Sequence, residues 1–198
     1  MPIIAVTGSS GLIGRELVRQ LRAQNHQLVE IDIELNNTYD IANSNFVAEL
    51  IQSCDGIIHL AAVSRVAEAQ KHPLRTWATN VTGTYNILDA ALQRKGKTRP
   101  WVIHASSREV YGNQPRKPIP EDTPIMPLNI YGRSKAVGEA MVMVPRMPEQ
   151  TFPFCDLPMF TAIFTIIQIV LFPHFRAQQS MAPHFVLTMP KPVWISPM

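Results

Sequence analysis

Cysteine is scarce in this chain of 198 residues: Cys54 and Cys155 are the only two, far apart and in no metal-ligand spacing. That pattern speaks against a disulfide framework and a thiolate metal centre, so no metal is expected and a reduced, cytoplasmic setting is. No lysine- or arginine-rich block stands out despite a net charge of +3, and nucleic acid is therefore not implied as a partner. The amino terminus has no basic segment ahead of its apolar run, so no secretory signal is read there. Glycine is absent after Gly138, and only five charged residues, Arg146, Glu149, Asp156, Arg176 and Lys191, fall in residues 145–198. Turns need glycine or its substitutes and solvent-facing surfaces need charge, and this stretch has little of either.

What the first 144 residues do contain is a strand, a glycine-rich turn and a helix in immediate succession. Ile3 to Val6 is a short apolar run, and Thr7-Gly8-Ser9-Ser10-Gly11-Leu12-Ile13-Gly14 follows it. Leu17, Val18 and Leu21 then recur at helical spacing. Gly8 permits the tight turn, Gly11 leaves the backbone bare for a pyrophosphate, and Gly14 permits close packing of helix on strand. The helix start offers free N–H groups and a positive dipole end to phosphates. Asp32 closes the next apolar run, Leu28 to Ile33, near the separation of about 20 residues expected of a ribose-binding acid. A carboxylate there repels a 2′-phosphate, which favours NAD over NADP, although Arg15 is a basic residue within reach of such a phosphate.

Further along, Asp40-Ile41 sits in a connection where it can cover an adenine, and Asn45 to Gln52 reads as a short helix. Gly56 to Ala62 reads as a buried strand ending in small residues, with His59 a packing rather than a catalytic histidine. Leu74 to Gln93 reads as one long helix, in which Asn80 needs a partner if it is buried. Trp101 to Ala105 is another strand, residues 113–129 form an extended loop, and Ile130 to Lys135 opens a helix. Strands alternating with helices predict an α/β fold, a Rossmann-like doubly wound parallel sheet.

Tyr131 and Lys135 are four residues apart and share one helix face. A lysine cation beside a phenol lowers its pKa, which is how a tyrosine becomes useful near neutral pH. Ser107, at a strand end, can hydrogen-bond the same substrate oxygen.

Together these segments resemble the extended short-chain dehydrogenases/reductases, specifically the NAD-dependent epimerase/dehydratase family. The glycine-rich loop, His59-Leu60-Ala61-Ala62, Asn80-Val81-Thr82-Gly83-Thr84-Tyr85-Asn86, Ser106-Ser107-Arg108-Glu109-Val110-Tyr111-Gly112 and Tyr131-Gly132-Arg133-Ser134-Lys135 occur in the family's order. The resemblance implies NAD as cofactor, a nucleotide-sugar substrate, and hydride transfer through a keto-sugar. It implies Tyr131 as acid/base, Lys135 on the nicotinamide ribose, Ser107 orienting the substrate hydroxyl, and Glu109 as a further catalytic candidate. Gly8, Ser10, Gly11, Leu12, Ile13, Gly14, Asp32, Asp40, Ile41, Leu60, Ala61, Ala62, Asn80 and Ser106 would line the cofactor together with Tyr131 and Lys135. Dehydratases of the family carry an Asp-Glu pair after the hydroxyl residue, whereas this chain has Arg108-Glu109. An arginine stays protonated and cannot be that acid. An epimerase is therefore the first expectation, with a dehydratase, a decarboxylase or a non-catalytic NAD-binding remnant as alternatives. A homodimer through the helices near Leu74–Gln93 and 131–144 is a further implication.

The resemblance covers residues 1–144, the expected NAD-binding domain. Residues 145–198 hold nine of the seventeen prolines and match neither the next strand nor the substrate lobe of the family. Three expectations stand for this tail: out-of-frame or otherwise non-homologous sequence replacing a missing lobe, a membrane insertion at 157–175, or a lid with a packed helix at 160–171. Pro158 and Pro173 bracket fourteen residues, fewer than the about 20 that a spanning helix needs.

Overall fold

The computed structural model describes residues 2–94, 99–115, 119–120 and 122–143. The readings made for residues 145–198, and the last residue of the 131–144 helix, lie outside the described residues. Four parallel strands form one sheet in the order β2-β1-β3-β4: β1 (Ile3–Thr7), β2 (Gln27–Ile31), β3 (Gly56–His59) and β4 (Trp101–His104). The chain steps from β1 to β2 on one side, then crosses to β3 on the other. The ends of β1 and β3 therefore make the switch point at which open α/β sheets hold ligands.

Alternation along the strands gives each face its own core. Ile4, Val6 and Ile58 pack with Leu17 and Val18 of α1 (Leu12–Ala23). Ala5, Ile57 and Val102 pack on the opposite face with α2 (Ser44–Ser53) and with Ile87, Leu88 and Ala91. The doubly wound arrangement expected from the alternating pattern is thus the one the chain adopts. Strands buried on both faces are near-continuous apolar runs, which is why Ile3–Val6 and Gly56–Leu60 stood out in the sequence.

The long helix expected over Leu74–Gln93 is divided. A short α3 (Val66–Lys71), not read from the sequence, precedes α4 (Pro73–Trp77). A π-helical turn, Ala78–Thr82, then leads into α5 (Gly83–Gln93). A 3-10 turn at Arg108–Tyr111 follows β4, and α6 spans Ile130–Met143. The described positions between Gly112 and Asn129 are irregular, as read.

Register sets the level of the strand ends. Thr7 pairs with both Ile31 and His59, and His59 with His104. The residues that come next, Gly8, Asp32, Leu60 and Ala105, consequently form one rim.

Candidate active site

A cleft of about 1020 Å³ opens along that rim. Gly8, Gly11, Leu12, Ile13, Gly14, Asp32, Asp40, Ile41, Leu60, Ala61, Ala62, Ser106, Tyr131 and Lys135 line it. Ser10, Asn80, Ser107 and Glu109, the other residues singled out from the sequence, are not part of the lining. Several liners were missed by the sequence reading, among them Tyr39, Ser64, Arg65, Arg75 and Ala105. Only the strand-end position of Ala105 carried any signal beforehand.

The glycine turn is shaped by contact. Gly8 has φ +72°, and a Cβ there would meet the Ala61 nitrogen at 2.7 Å. A Cβ at Gly14 would run into the Gly8 carbonyl oxygen and sit 2.8 Å from Ser9 Cα. At Gly14 the helix therefore lies directly against the turn, while Leu17 and Val18 pack on the strand as expected. Gly11 is the N-cap of α1 and supplies no side-chain cap, and the first turn carries no acidic residue. Its N–H groups are left for an anion.

Asp32 fastens this turn. Its Oδ2 accepts the Ser10 N–H at 3.0 Å and its Oδ1 accepts the Glu34 N–H at 3.0 Å. Ser10 is thereby held by the acid through its backbone. The Asp40-Ile41 connection is anchored by α5, where Asn86 Nδ2 donates to the carbonyls of Ile41 and Ala42 at 3.0 Å each.

Asn80, in the π turn, finds the partners a buried amide requires. It accepts the Val63 N–H at 2.8 Å and donates to the Val63 carbonyl at 3.2 Å and to Ser134 Oγ at 2.9 Å. Ser134 donates in turn to the Tyr131 carbonyl at 2.8 Å. The π turn is thus tied to α6 and to the loop after β3; such turns are frequent at functional sites.

His59 is a core residue, as expected. Thr84 Oγ1 donates to the Asn80 carbonyl at 2.7 Å, so its proton is spent. His59 Nε2 must then donate to Thr84 Oγ1 at 3.0 Å, which leaves Nδ1 to accept from Thr7 Oγ1 at 2.8 Å. Burial, with the Lys135 cation as a smaller cause, pushes the His59 pKa down to about 3. His104 stacks at a tilt against it, ring centres 5.4 Å apart, and its pKa too is pushed well down by burial. Neither ring nitrogen of His104 has a hydrogen-bond partner among the described residues.

Tyr131 and Lys135 share a face of α6 and both line the cleft. Lys135 Nζ donates to the Ala105 carbonyl at 3.0 Å, and burial lowers its pKa to about 8. The Tyr131 phenol does not follow the sequence expectation. Burial raises its pKa; a hydrogen bond with Ser107 pulls the other way, and the Glu109 carboxylate pushes it further up. Desolvation is the largest of these causes, and the Lys135 ammonium is bonded to the Ala105 carbonyl.

Glu109 is engaged elsewhere. Its Oε2 accepts from Asn129 Nδ2 at 2.7 Å, and Arg108 lies 3.7 Å from its other oxygen. Asn129 Oδ1 accepts the Gly132 N–H at 2.8 Å, so the amide held by Glu109 closes the first turn of α6. Among the described residues no helix is long and apolar enough to cross a membrane, and no cluster of three or more His, Cys, Asp or Glu could hold a metal ion.

A parallel doubly wound sheet with a glycine turn and a Tyr/Lys helix at its switch point defines a Rossmann-like nucleotide-binding fold. The NAD dependent epimerase/dehydratase family matches residues 4–157. The chain belongs to that family. It is 29% identical over 153 residues to the UDP-glucose 4-epimerase of Lactobacillus helveticus, covering 70% of this chain and 46% of the relative. It is 31% identical over 144 residues to the dTDP-4-dehydrorhamnose reductase of Mycolicibacterium smegmatis, covering 72% and 42%. The structure resembles that of a UDP-glucose-4-epimerase from Stenotrophomonas maltophila with bound NAD and formylated UDP-arabinopyranose. There the TM-score is 0.68 and the identity 28%, over 78% of this chain and 51% of the other. The chain thus spans about half the length of the relatives it matches.

Proposed function

We propose that residues 1–144 are the NAD-binding part of a nucleotide-sugar epimerase, with Ser107, Tyr131 and Lys135 as its acid/base group. One observation carries the reading: Tyr131 and Lys135 line the same cleft as the Gly8–Gly14 turn and Ala61-Ala62. The donor set fits a dinucleotide. The Gly8 turn has no room for a Cβ, the α1 N–H groups are uncapped by side chains, and Asp32 lines the cleft. That carboxylate favours NAD over NADP.

Bound NAD would supply the acceptor, and afterwards the donor, of a hydride at a sugar carbon. The chain's own residues handle the proton. Tyr131 takes it from the substrate hydroxyl as the keto-sugar forms, and gives it back when the hydride returns to the opposite face. Ser107 aligns that hydroxyl. Lys135 holds the ribose and supplies the positive charge that stabilises the Tyr131 phenolate, the form that takes the proton and that is left when the proton is given back. Glu109, committed to Asn129 and Arg108, is poorly placed to remove a proton from a substrate in the cleft, which supports an epimerase over a dehydratase. The relatives named as epimerases agree with this reading, and the reductase among them marks the breadth of the family.

The alternative to this reading is an NAD-binding remnant without turnover. Calorimetric titration with NAD⁺ and incubation with UDP- and GDP-sugars separate the two. Product formed by the parent and not by Tyr131→Phe supports the epimerase. NAD⁺ binding with no product from either supports the remnant, and no NAD⁺ binding overturns both. A cytoplasmic location and a homodimer through the α4–α5 and α6 faces belong to the same proposal. Leu74, 84% exposed, and Tyr85, also exposed, leave apolar surface on the first of those faces.

A further inference from the structure

Three side chains of α6 face the loop that leaves β4. Tyr131, Lys135 and Glu139 follow one another at intervals of four residues, one helical turn apart. Each meets one of three consecutive residues: Tyr131 shares a hydrogen bond with Ser107, Lys135 donates to the Ala105 carbonyl, and the Ser106 hydroxyl donates to a Glu139 carboxylate oxygen. Helix and loop are joined by three rungs, and the function proposed above uses two of them.

The third rung is costly. Glu139 is only 9% exposed, and burial raises its pKa, with the Ser106 bond as the opposing, smaller cause. An apolar residue at this helix position would pack without that desolvation penalty. Glu139 is not among the residues lining the cleft, whereas Ser106 is. A substrate or cofactor in the cleft is therefore reached through Ser106.

We propose that Glu139 is a positioning residue. By holding the Ser106 hydroxyl it fixes the path of residues 105–107, and with it the Ala105 carbonyl that orients Lys135 and the Ser107 hydroxyl that bonds Tyr131. This rests on the reading of Tyr131 and Lys135 as the acid/base pair.

The test is the alkaline titration of Tyr131, followed by ultraviolet difference absorbance on the full chain with Tyr131→Phe as the subtraction. Thermal unfolding and NAD⁺ calorimetry are run beside it. Because the Ser107 bond holds the phenol pKa down, loosening it moves the midpoint up. Glu139→Ala is expected to raise the midpoint by about half a pH unit or more and to weaken NAD⁺ binding about fivefold. Glu139→Gln, which keeps an acceptor for Ser106, stays near the parent in both. Ser106→Ala gives the same upward shift, and the double variant adds nothing to either single one. A Tyr131 midpoint in Glu139→Ala equal to the parent's overturns the proposal, and so does an additive double variant. If Glu139→Ala does not fold, Ser106→Ala alone must give the shift, and its absence overturns the proposal. A parent that binds no NAD⁺ defeats the cofactor reading, while the phenol titration still decides this one.

Discussion

The ammonium of Lys135 is bonded to the carbonyl oxygen of Ala105, 3.0 Å away, in a place where burial lowers its pKa to about 8. A buried cation held by one backbone dipole contributes to the site at the expense of the fold. The unfolded chain keeps the Lys135 proton up to its ordinary pKa near 10.4, whereas the folded chain releases it from about pH 8. Stability attributable to this residue therefore rises with pH between those values, and at pH 7 the full burial penalty is present. Lys135→Met is expected to raise stability at pH 7 by about 2–3 kcal/mol and to abolish any epimerase turnover. Chemical denaturation at a series of pH values checks this: the gain should shrink above pH 8.

The paired histidines behave in the opposite pH range. Both have folded pKa values pushed below the ordinary range, His59 to about 3. Their contribution is complete above the unfolded value near 6.5 and falls as the pH drops toward the folded values, by about 1.4 kcal/mol per pH unit for each ring. His104→Leu should be neutral or stabilising at pH 7, since the ring nitrogens leave no described partner orphaned. It should also flatten the acid limb of the stability curve by about 1.4 kcal/mol per unit. Unfolding midpoints from pH 7 to 4 measure it.

Two glycines of the turn should separate fold from ligand. In Gly14→Ala the new methyl meets the Gly8 carbonyl and, at 2.8 Å, Ser9 Cα, backbone atoms that cannot easily yield. A loss of about 3 kcal/mol is expected. In Gly11→Ala the one near contact is the Gly8 oxygen at 3.2 Å. Stability should change by less than about 1 kcal/mol, while NAD⁺ affinity drops at least about tenfold because the methyl stands where a pyrophosphate must approach. Thermal melts paired with NAD⁺ calorimetry read both.

The cap of α6 gives a fourth expectation. Asn129→Ala removes the acceptor of the Gly132 N–H and should cost about 1 kcal/mol. Glu109→Gln keeps an oxygen for the Asn129 amide and should be close to neutral. Hydrogen exchange of the Gly132 amide, faster in Asn129→Ala and unchanged in Glu109→Gln, is the direct measurement.

Much of this architecture was legible because it is local. The strands are apolar runs cut off by Gly, Pro and Asp, the turn is written in Gly8, Gly11 and Gly14, and a four-residue interval puts Tyr131 and Lys135 on one face whatever surrounds them. What the sequence concealed depends on distant partners. The π turn at 78–82 accompanies bonds from Asn80 to Val63 and Ser134, residues 17 and 54 positions away. Helix α3 is too short and too polar to show a period. The direction of the Tyr131 pKa followed from burial, which a list of neighbours along the chain does not contain. The bond from Asn129 to Glu109, across twenty positions, is likewise invisible in the sequence.

Asp32, proposed above as the selector of the coenzyme, is also a clasp. One oxygen grips the glycine turn through Ser10 and the other grips the next connection through Glu34. An engineer who swaps this acid for a smaller neutral group, hoping to admit a 2′-phosphate, also unbuttons the loop proposed to receive the diphosphate. Coenzyme preference and loop order are thus inherited together, and a successful exchange must supply a second fastening for the Ser10 amide.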